Sequence, residues 1–162
     1  MAKEKFPVTP AIRELRRYKV EFTPQLYDYV EKGGAKHSAE VLGADPHAVI
    51  KTIILQNEKS EPCVVLMHGD KDISTKNLAR EIGVKTLEPC TPEIANKNTG
   101  YLVGGTSPFG TRKQMPVYME KTISELETIY INGGKRGFLV SMKSSDLVRV
   151  LKPVFVSVAI DK

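Results

Sequence analysis

The chain of 162 residues carries 24 Lys and Arg against 19 Asp and Glu, a formal charge of +5 at pH 7, with 41% hydrophobic and 27% charged residues. This is ordinary for a single domain over residues 1–162, long enough to bury a core without disulfides or a metal to staple it. No apolar run is long enough for a membrane span and residues 1–10 lack a leader-like stretch, so cytoplasm is the default; the positive balance favours an anionic partner.

Thr9-Pro10 opens a first helix, a hydroxyl to cap free N–H groups and then proline at the first helical position, with Ala11, Ile12 and Leu15 on its apolar side. Beyond Val20 the chain reads as extended through Phe22 to Leu26, Tyr27 and Tyr29. HSAEVLGADP is a short helix capped by Ser38 and closed at Gly43. VIKTIILQN and PCVVLMHG are strands around a turn over residues 58–61, so continuously apolar that each is expected to be buried on two faces. Ser74 caps a helix in which Leu78, Ala79 and Ile82 share a face before Gly83 stops it. A strand over 84–87 and a short helix over 92–97 lead into NTGYLVGGTSPFGTRK, residues 98–113. TIYINGGKRGFLVSM predicts two strands around an Asn132-Gly133 turn, and SSDLVRVL a late helix. Helices do not alternate regularly with these strands, so the fold class is α+β: a mixed or antiparallel sheet with helices around it.

Lys51 shares a strand face with Val49, Ile53 and Leu55, placing an ammonium where hydrocarbon is expected. Buried without a partner, that charge would cost on the order of several kcal/mol or shift its pKa steeply. Two readings stand: it snorkels from the strand end into water, or its counter-charge arrives with an anionic ligand. Gly104 and Gly105, with Gly133 and Gly134, form two places where backbone N–H groups can approach an oxygen with no Cβ in the way. Ser107, Asn132, Lys135 and Arg136 stand beside them. Each segment alone is an ordinary turn; neither has the phosphate-loop spacing. Together with Lys51 they suggest one anion-binding site. No G-x-S-x-G elbow is present and no histidine pairs with Ser107 by sequence, so the chemistry must come from positioning, backbone electrostatics or a group on the substrate. Tyr27 and Tyr29 are candidates to line the site. Cys63 and Cys90 form no CxxC pair, and His37, His47 and His68 are scattered without ligand spacing, so neither a disulfide framework nor a metal or other cofactor is expected.

The segments TPAIRELRRYKVEF, AEVLGADPHAVIKTIIL, NTGYLVGGTSPFGTRKQMP and YINGGKRGFLV occur in the order seen in the YbaK/EbsC family, which this chain resembles over residues 9–151. The resemblance implies a curved, largely antiparallel mixed sheet partly closed into a barrel with flanking helices. It implies an aminoacyl-tRNA deacylase acting in trans, related to the editing domain of prolyl-tRNA synthetases, with Cys-tRNA(Pro) the foremost substrate and the synthetase a candidate partner. By that resemblance Lys51 holds the 3′ acceptor end of the tRNA, Tyr27 is the functional tyrosine, and Gly104 is the glycine of the G-G-x-S-P loop. The substrate's own thiol would attack the ester and leave as a cyclic thioester. Two positions depart from the pattern: Asn132 replaces a serine, and Leu139 stands where a functional aspartate is common. A carboxylate there suits an aminoacyl ammonium and leucine does not, so another small amino acid, aliphatic or hydroxylated, is an alternative. A non-catalytic module that holds tRNA ends or a synthetase surface, and a small-molecule phosphate binder, are further alternatives.

Overall fold

The Thr9 hydroxyl accepts a hydrogen bond from the Ile12 N–H, and α1 (Pro10–Arg17) follows with Ala11, Ile12 and Leu15 buried. The computed structural model describes residues 5–162; residues 1–4, part of the stretch read for a leader, lie outside the described residues. β1 (Phe22–Leu26) is shorter than expected, and Tyr27 and Tyr29 lie in the irregular segment after it. α2 (Gly34–Leu42) begins four residues before the expected cap. Ser38 is inside the helix, where its hydroxyl donates back to the Gly34 and Ala35 carbonyls. Gly43 closes α2 in the left-handed conformation, as read.

A 3-10 turn (Pro46–Ala48) leads into β2 (Val49–Asn57), and β3 (Pro62–His68) returns beside it. β3 is the more deeply buried of the two; β2 is half-buried at Lys51, Thr52 and Ile53. β4 (Lys71–Ile73) and α3 (Thr75–Ile82) follow, with Ser74 capping and Gly83 ending the helix as expected. The strand expected from Val84 starts only at β5 (Leu87–Pro89), because the Val84 N–H still bonds to Ala79 at the end of α3. α4 (Pro92–Thr99), β6 (Val117–Glu120), β7 (Thr128–Lys135), β8 (Phe138–Lys143), α5 (Ser144–Leu151), β9 (Val154–Val156) and β10 (Ala159–Asp161) complete the order.

The main sheet runs β1-β8-β7-β2-β3-β6-β9, with β5 also against β2, while β4 and β10 form a separate ribbon. β2–β7, β3–β6 and β6–β9 are parallel and the other pairs antiparallel. Among the described residues the pairings form an open path that does not join its two ends. The β7–β8 hairpin turns at Arg136-Gly137, where Gly137 has φ +77°, and not at Asn132-Gly133. Gly133 and Gly134 instead form a bulge inside β7, between the pairs Asn132↔Leu139 and Lys135↔Phe138.

One sheet face packs α1 onto Ile50, Ile54, Leu66, Ile131 and Phe138 to make the principal core. Fully burying each large aliphatic or aromatic side chain there contributes about 1.5–3 kcal/mol. The other face carries two smaller clusters: Leu55, Val65 and Met67 under Leu78 of α3, and Val49 with Leu139 under Ala39 of α2. Lys51 lies on that second face, since side chains alternate along β2, and falls between Val49 of one cluster and Ile53 of the other. No helix among the described residues is long and apolar enough to cross a membrane.

Candidate functional site

The two glycines of the β7 bulge are closely covered by side chains of Thr9, Tyr101 and Phe138. A Cβ on Gly134 would lie 2.8 Å from the Tyr101 ring, and the Thr9 hydroxyl donates to the Gly133 carbonyl at 2.5 Å. Directly beside the bulge, Asn132 spends its whole side chain on backbone. Its Nδ2 donates to the Gly104 carbonyl at 3.1 Å, and its Oδ1 accepts from the Gly134 and Lys135 N–H groups at 2.7 and 3.1 Å. Arg136 donates through Nε to the Val103 carbonyl at 2.8 Å, and its guanidinium lies 5.1 Å over the Tyr29 ring. The 101–105 loop, the 132–137 segment and the residues after β1 therefore meet at one place. The Tyr27 N–H completes the junction by donating to the Gly137 carbonyl.

Gly104 sits at the centre of this junction with φ +91°, and a Cβ there would be 2.5 Å from the Tyr29 hydroxyl. Both requirements single out glycine. Among the described residues its N–H makes no hydrogen bond. The expected contribution of Gly105 is different: its N–H donates to the Leu102 carbonyl at 2.8 Å, closing a turn, so it cannot face a ligand oxygen. What Gly105 supplies is room, because a Cβ would be 2.7 Å from the Arg136 nitrogen. The Gly134 and Lys135 N–H groups are likewise consumed by Asn132. Ser107 is fully buried, with Oγ accepting from the Phe109 N–H at 3.2 Å, and has no face to offer a substrate. Lys135 has no ion-pair partner among the described residues.

Lys51 approaches this junction through the sheet. The last parallel pairs of β2 and β7 are Val49↔Tyr130 and Ile50↔Ile131, and one step further stand Lys51 and Asn132, on the same face. Leu139, opposite Asn132, packs there with Val49, and Tyr27 packs against the same cluster. One face thus gathers Lys51, Asn132, Leu139 and Tyr27, with the Gly104 loop held at its end. Burial raises the Tyr27 pKa above 10.0, with the nearby Tyr29 adding to the effect.

The Lys51 ammonium is not bare. It donates to the Lys71 carbonyl and lies 3.6 Å from Asp72 Oδ1, both on β4. Its side chain is 20% exposed and that of Asp72 54%. Burial lowers the Lys51 pKa and Lys162 adds repulsion, with Asp72 and Asp70 acting in the opposite direction. A counter-charge therefore already resides in the protein, and the sequence signal for Asp72 was slight: one acid in a three-residue strand.

Two of the three histidines are not scattered. His47 and His68 stack with ring centres 3.7 Å apart and planes 6° from parallel, and Asp70 lies 2.9 Å from His47 Nδ1. The ring nitrogens lie in two parallel planes, so no ion can occupy the plane of both. His68 Nδ1 faces the His47 carbonyl at 2.6 Å and its Nε2 faces the Thr122 hydroxyl at 2.7 Å. This signal was available, because the β2–β3 turn over 58–61 brings His68 opposite Ile50, next to His47. Cys63 is buried and its thiol is pushed up to about 11 by that burial; Cys90 is half-exposed and also raised by burial.

Along 98% of both chains, at 28% identity over 160 residues, the protein is similar to EbsC of Enterococcus faecalis, provisionally named a Cys-tRNA(Pro)/Cys-tRNA(Cys) deacylase. It is 31% identical over 138 residues to the proline–tRNA ligase of Thermodesulfovibrio yellowstonii, covering 84% of this chain but 22% of the ligase. A crystal structure provisionally described as a trans-editing enzyme for prolyl tRNA synthetase superposes with TM-score 0.80 at 20% identity, covering 95% of this chain and 99% of the other. Hypothetical protein APE2540 superposes with TM-score 0.85 at 18% identity, over 94% and 100% of the two chains. Residues 32–150 match the aminoacyl-tRNA editing domain, and a match over that much of the chain establishes the assignment: the protein belongs to the aminoacyl-tRNA editing domain family.

Proposed function

We propose that the protein is a trans-acting aminoacyl-tRNA deacylase that clears a mischarged amino acid from the 3′ end of a tRNA. The observation that carries this reading is the Gly104 N–H, unpartnered among the described residues and held by fixed neighbours at the end of the sheet face that Lys51 shares with Asn132. The terminal nucleotide lies across that face. Lys51 meets a phosphate or ribose oxygen, exchanging Asp72 for it; an ion pair with so exposed a carboxylate is worth only about 0–1 kcal/mol. The 2′-hydroxyl distinguishes RNA, and Lys135 faces the incoming backbone.

Chemistry then needs a donor where charge develops. As a nucleophile adds to the ester carbon, the Gly104 N–H hydrogen-bonds the carbonyl oxygen, a contribution of about 3–4 kcal/mol to the barrier. For a cysteinyl ester the nucleophile is the substrate thiol: a C–S bond forms, the C–O ester bond breaks, and the thiol proton passes to the departing ribose oxygen. Proximity gives such an intramolecular attack a large advantage, so the chain needs no nucleophile of its own. Leu139 and Val49 put hydrocarbon beside the substrate's amino-acid portion, which suits a small side chain and gives its ammonium no carboxylate. Editing in trans is useful because a synthetase pocket separates near-isosteres by only about 1–3 kcal/mol.

A panel of aminoacyl-tRNAs incubated with wild type and Lys51→Ala tests the reading. The wild type should empty one or a few members, and the folded variant should leave them intact. A wild type that protects every ester, or a Lys51→Ala protein with undiminished turnover, refutes it.

A further inference from the structure

The side chains beside the glycine-rich loop contact backbone, and the pattern of those contacts has a chemical consequence. The 103–104 peptide has the Val103 carbonyl at one end and the Gly104 N–H at the other. A trans peptide holds the two in one plane pointing in opposite directions, and the protein has no cis peptide among the described residues. Arg136 Nε holds the carbonyl end at 2.8 Å, so the N–H must point away from Arg136. The next peptide is fixed equally: the Gly104 carbonyl is held by Asn132, and the Gly105 N–H by Leu102. Arg136 is itself braced on the Tyr29 ring. Both peptide planes flanking Gly104 are therefore fixed, and one is fixed by a cation.

We propose that Arg136 is a positioning residue that acts through the 103–104 peptide, aiming the Gly104 N–H at the reacting carbonyl and strengthening it as a donor. A charge-assisted hydrogen bond to the carbonyl end draws electron density from the amide, and hydrogen bonds in a chain polarise one another. The assignment rests on the deacylase reading and departs from the simpler role of Arg136 as an RNA contact. An RNA contact would strengthen tRNA binding; a polarised peptide strengthens the transition state. Lysine retains the charge but not the Nε–H that meets Val103, so it should not substitute.

The test uses the full chain as wild type, Arg136→Ala and Arg136→Lys, with steady-state kcat and KM from a concentration series of aminoacyl-tRNA, and the amide 1H–15N resonance of Gly104 without tRNA. In both variants kcat should fall by about 10–100-fold, less than the loss of a whole donor, with KM changed no more than about twofold, the scatter expected of an interaction absent from the ground state. The Gly104 amide proton should move upfield, and added guanidinium should restore activity to Arg136→Ala but not to Gly104→Ala. A raised KM with unchanged kcat, or a Gly104 resonance that stays in place, overturns the proposal. If the wild type deacylates nothing, the deacylase reading fails by itself, and the resonance still reports whether Arg136 polarises the peptide.

Discussion

Gly104→Ala puts the site geometry under direct load. The substitution adds one Cβ, which at φ +91° is strained wherever it lies, at about 1–2 kcal/mol for an L-residue on that side of the map. In addition the Cβ would be 2.5 Å from the Tyr29 hydroxyl and 3.0 Å from two of its ring carbons. Ordinary contact begins at 3.4 Å, so the loop or the tyrosine must move by about 0.9 Å, the difference of the two distances. Arg136 lies over that ring, so the tyrosine is not free to swing aside. The backbone strain alone, about 1–2 kcal/mol, lowers Tm by roughly 2–8 °C in a chain of this size, and yielding to the Tyr29 contact adds to that, whereas a donor misplaced by about 1 Å loses about 100-fold in rate. The expected signature is therefore a mild change in a thermal melt and a severe one in single-turnover deacylation. The double variant with Tyr29→Phe removes the 2.5 Å contact and leaves those at 3.0 Å, so it should recover part of the rate. A Gly104→Ala protein that melts a few degrees lower yet deacylates within twofold of wild type would show that Gly104 is only a turn residue, and the donor role would be withdrawn.

Two predictions concern the frame around the site. Thr52 Oγ1 is buried without a hydrogen-bond partner among the described residues, opposite Leu66 on the face that carries Ile50 and Ile54 to the main core. Thr52→Val replaces that hydroxyl by a methyl of the same shape and should stabilise by about 1 kcal/mol, seen as a higher denaturant midpoint at unchanged slope; a lower midpoint would mean the hydroxyl is satisfied in solution. His68 is held neutral chiefly by burial, with the stacked His47 adding repulsion, while its bond to the His47 carbonyl and the charges of Asp70 and Glu120 act in the opposite sense. Its folded pKa lies below its ordinary 6.5, so the unfolded chain takes up the proton first on acidification. The associated stability is full above about pH 6.5 and is lost as pH falls from there through the folded value. Melting temperatures measured between pH 7.5 and 5 should decline for wild type and decline less for His68→Gln; parallel curves would rule out His68 as the group responsible.

What could be read from the sequence depended on how far each residue's partner lies along the chain. Thr9, Ser74 and Gly83 cap helices within three or four residues of themselves, and all three were legible. β2 and β3 were legible because nine- and seven-residue strands of hydrocarbon outvote any local alternative. β4, β6, β9 and β10, three or four residues each, exist through pairing with distant strands and leave no period in a window that short. Asp72 was missed for the same reason, and with it the internal counter-charge of Lys51. The most informative failure is at Asn132-Gly133, where local turn chemistry predicted a hairpin end. Asn132 instead reaches 28 residues back to Gly104, Gly133 reaches 124 residues back to Thr9, and the turn moves to Arg136-Gly137. A bulge gives these residues that reach, because two unpaired glycines let β7 bend towards the loop and shift its register against β8 before pairing resumes at Lys135↔Phe138. A local rule fails there since the segment answers to a distant one, and such conflicts are expected where a chain builds a site. Lys51 fits the same logic: the charge that interrupts a buried strand, and the glycines that fail to turn one, end on adjacent strands of a single sheet face.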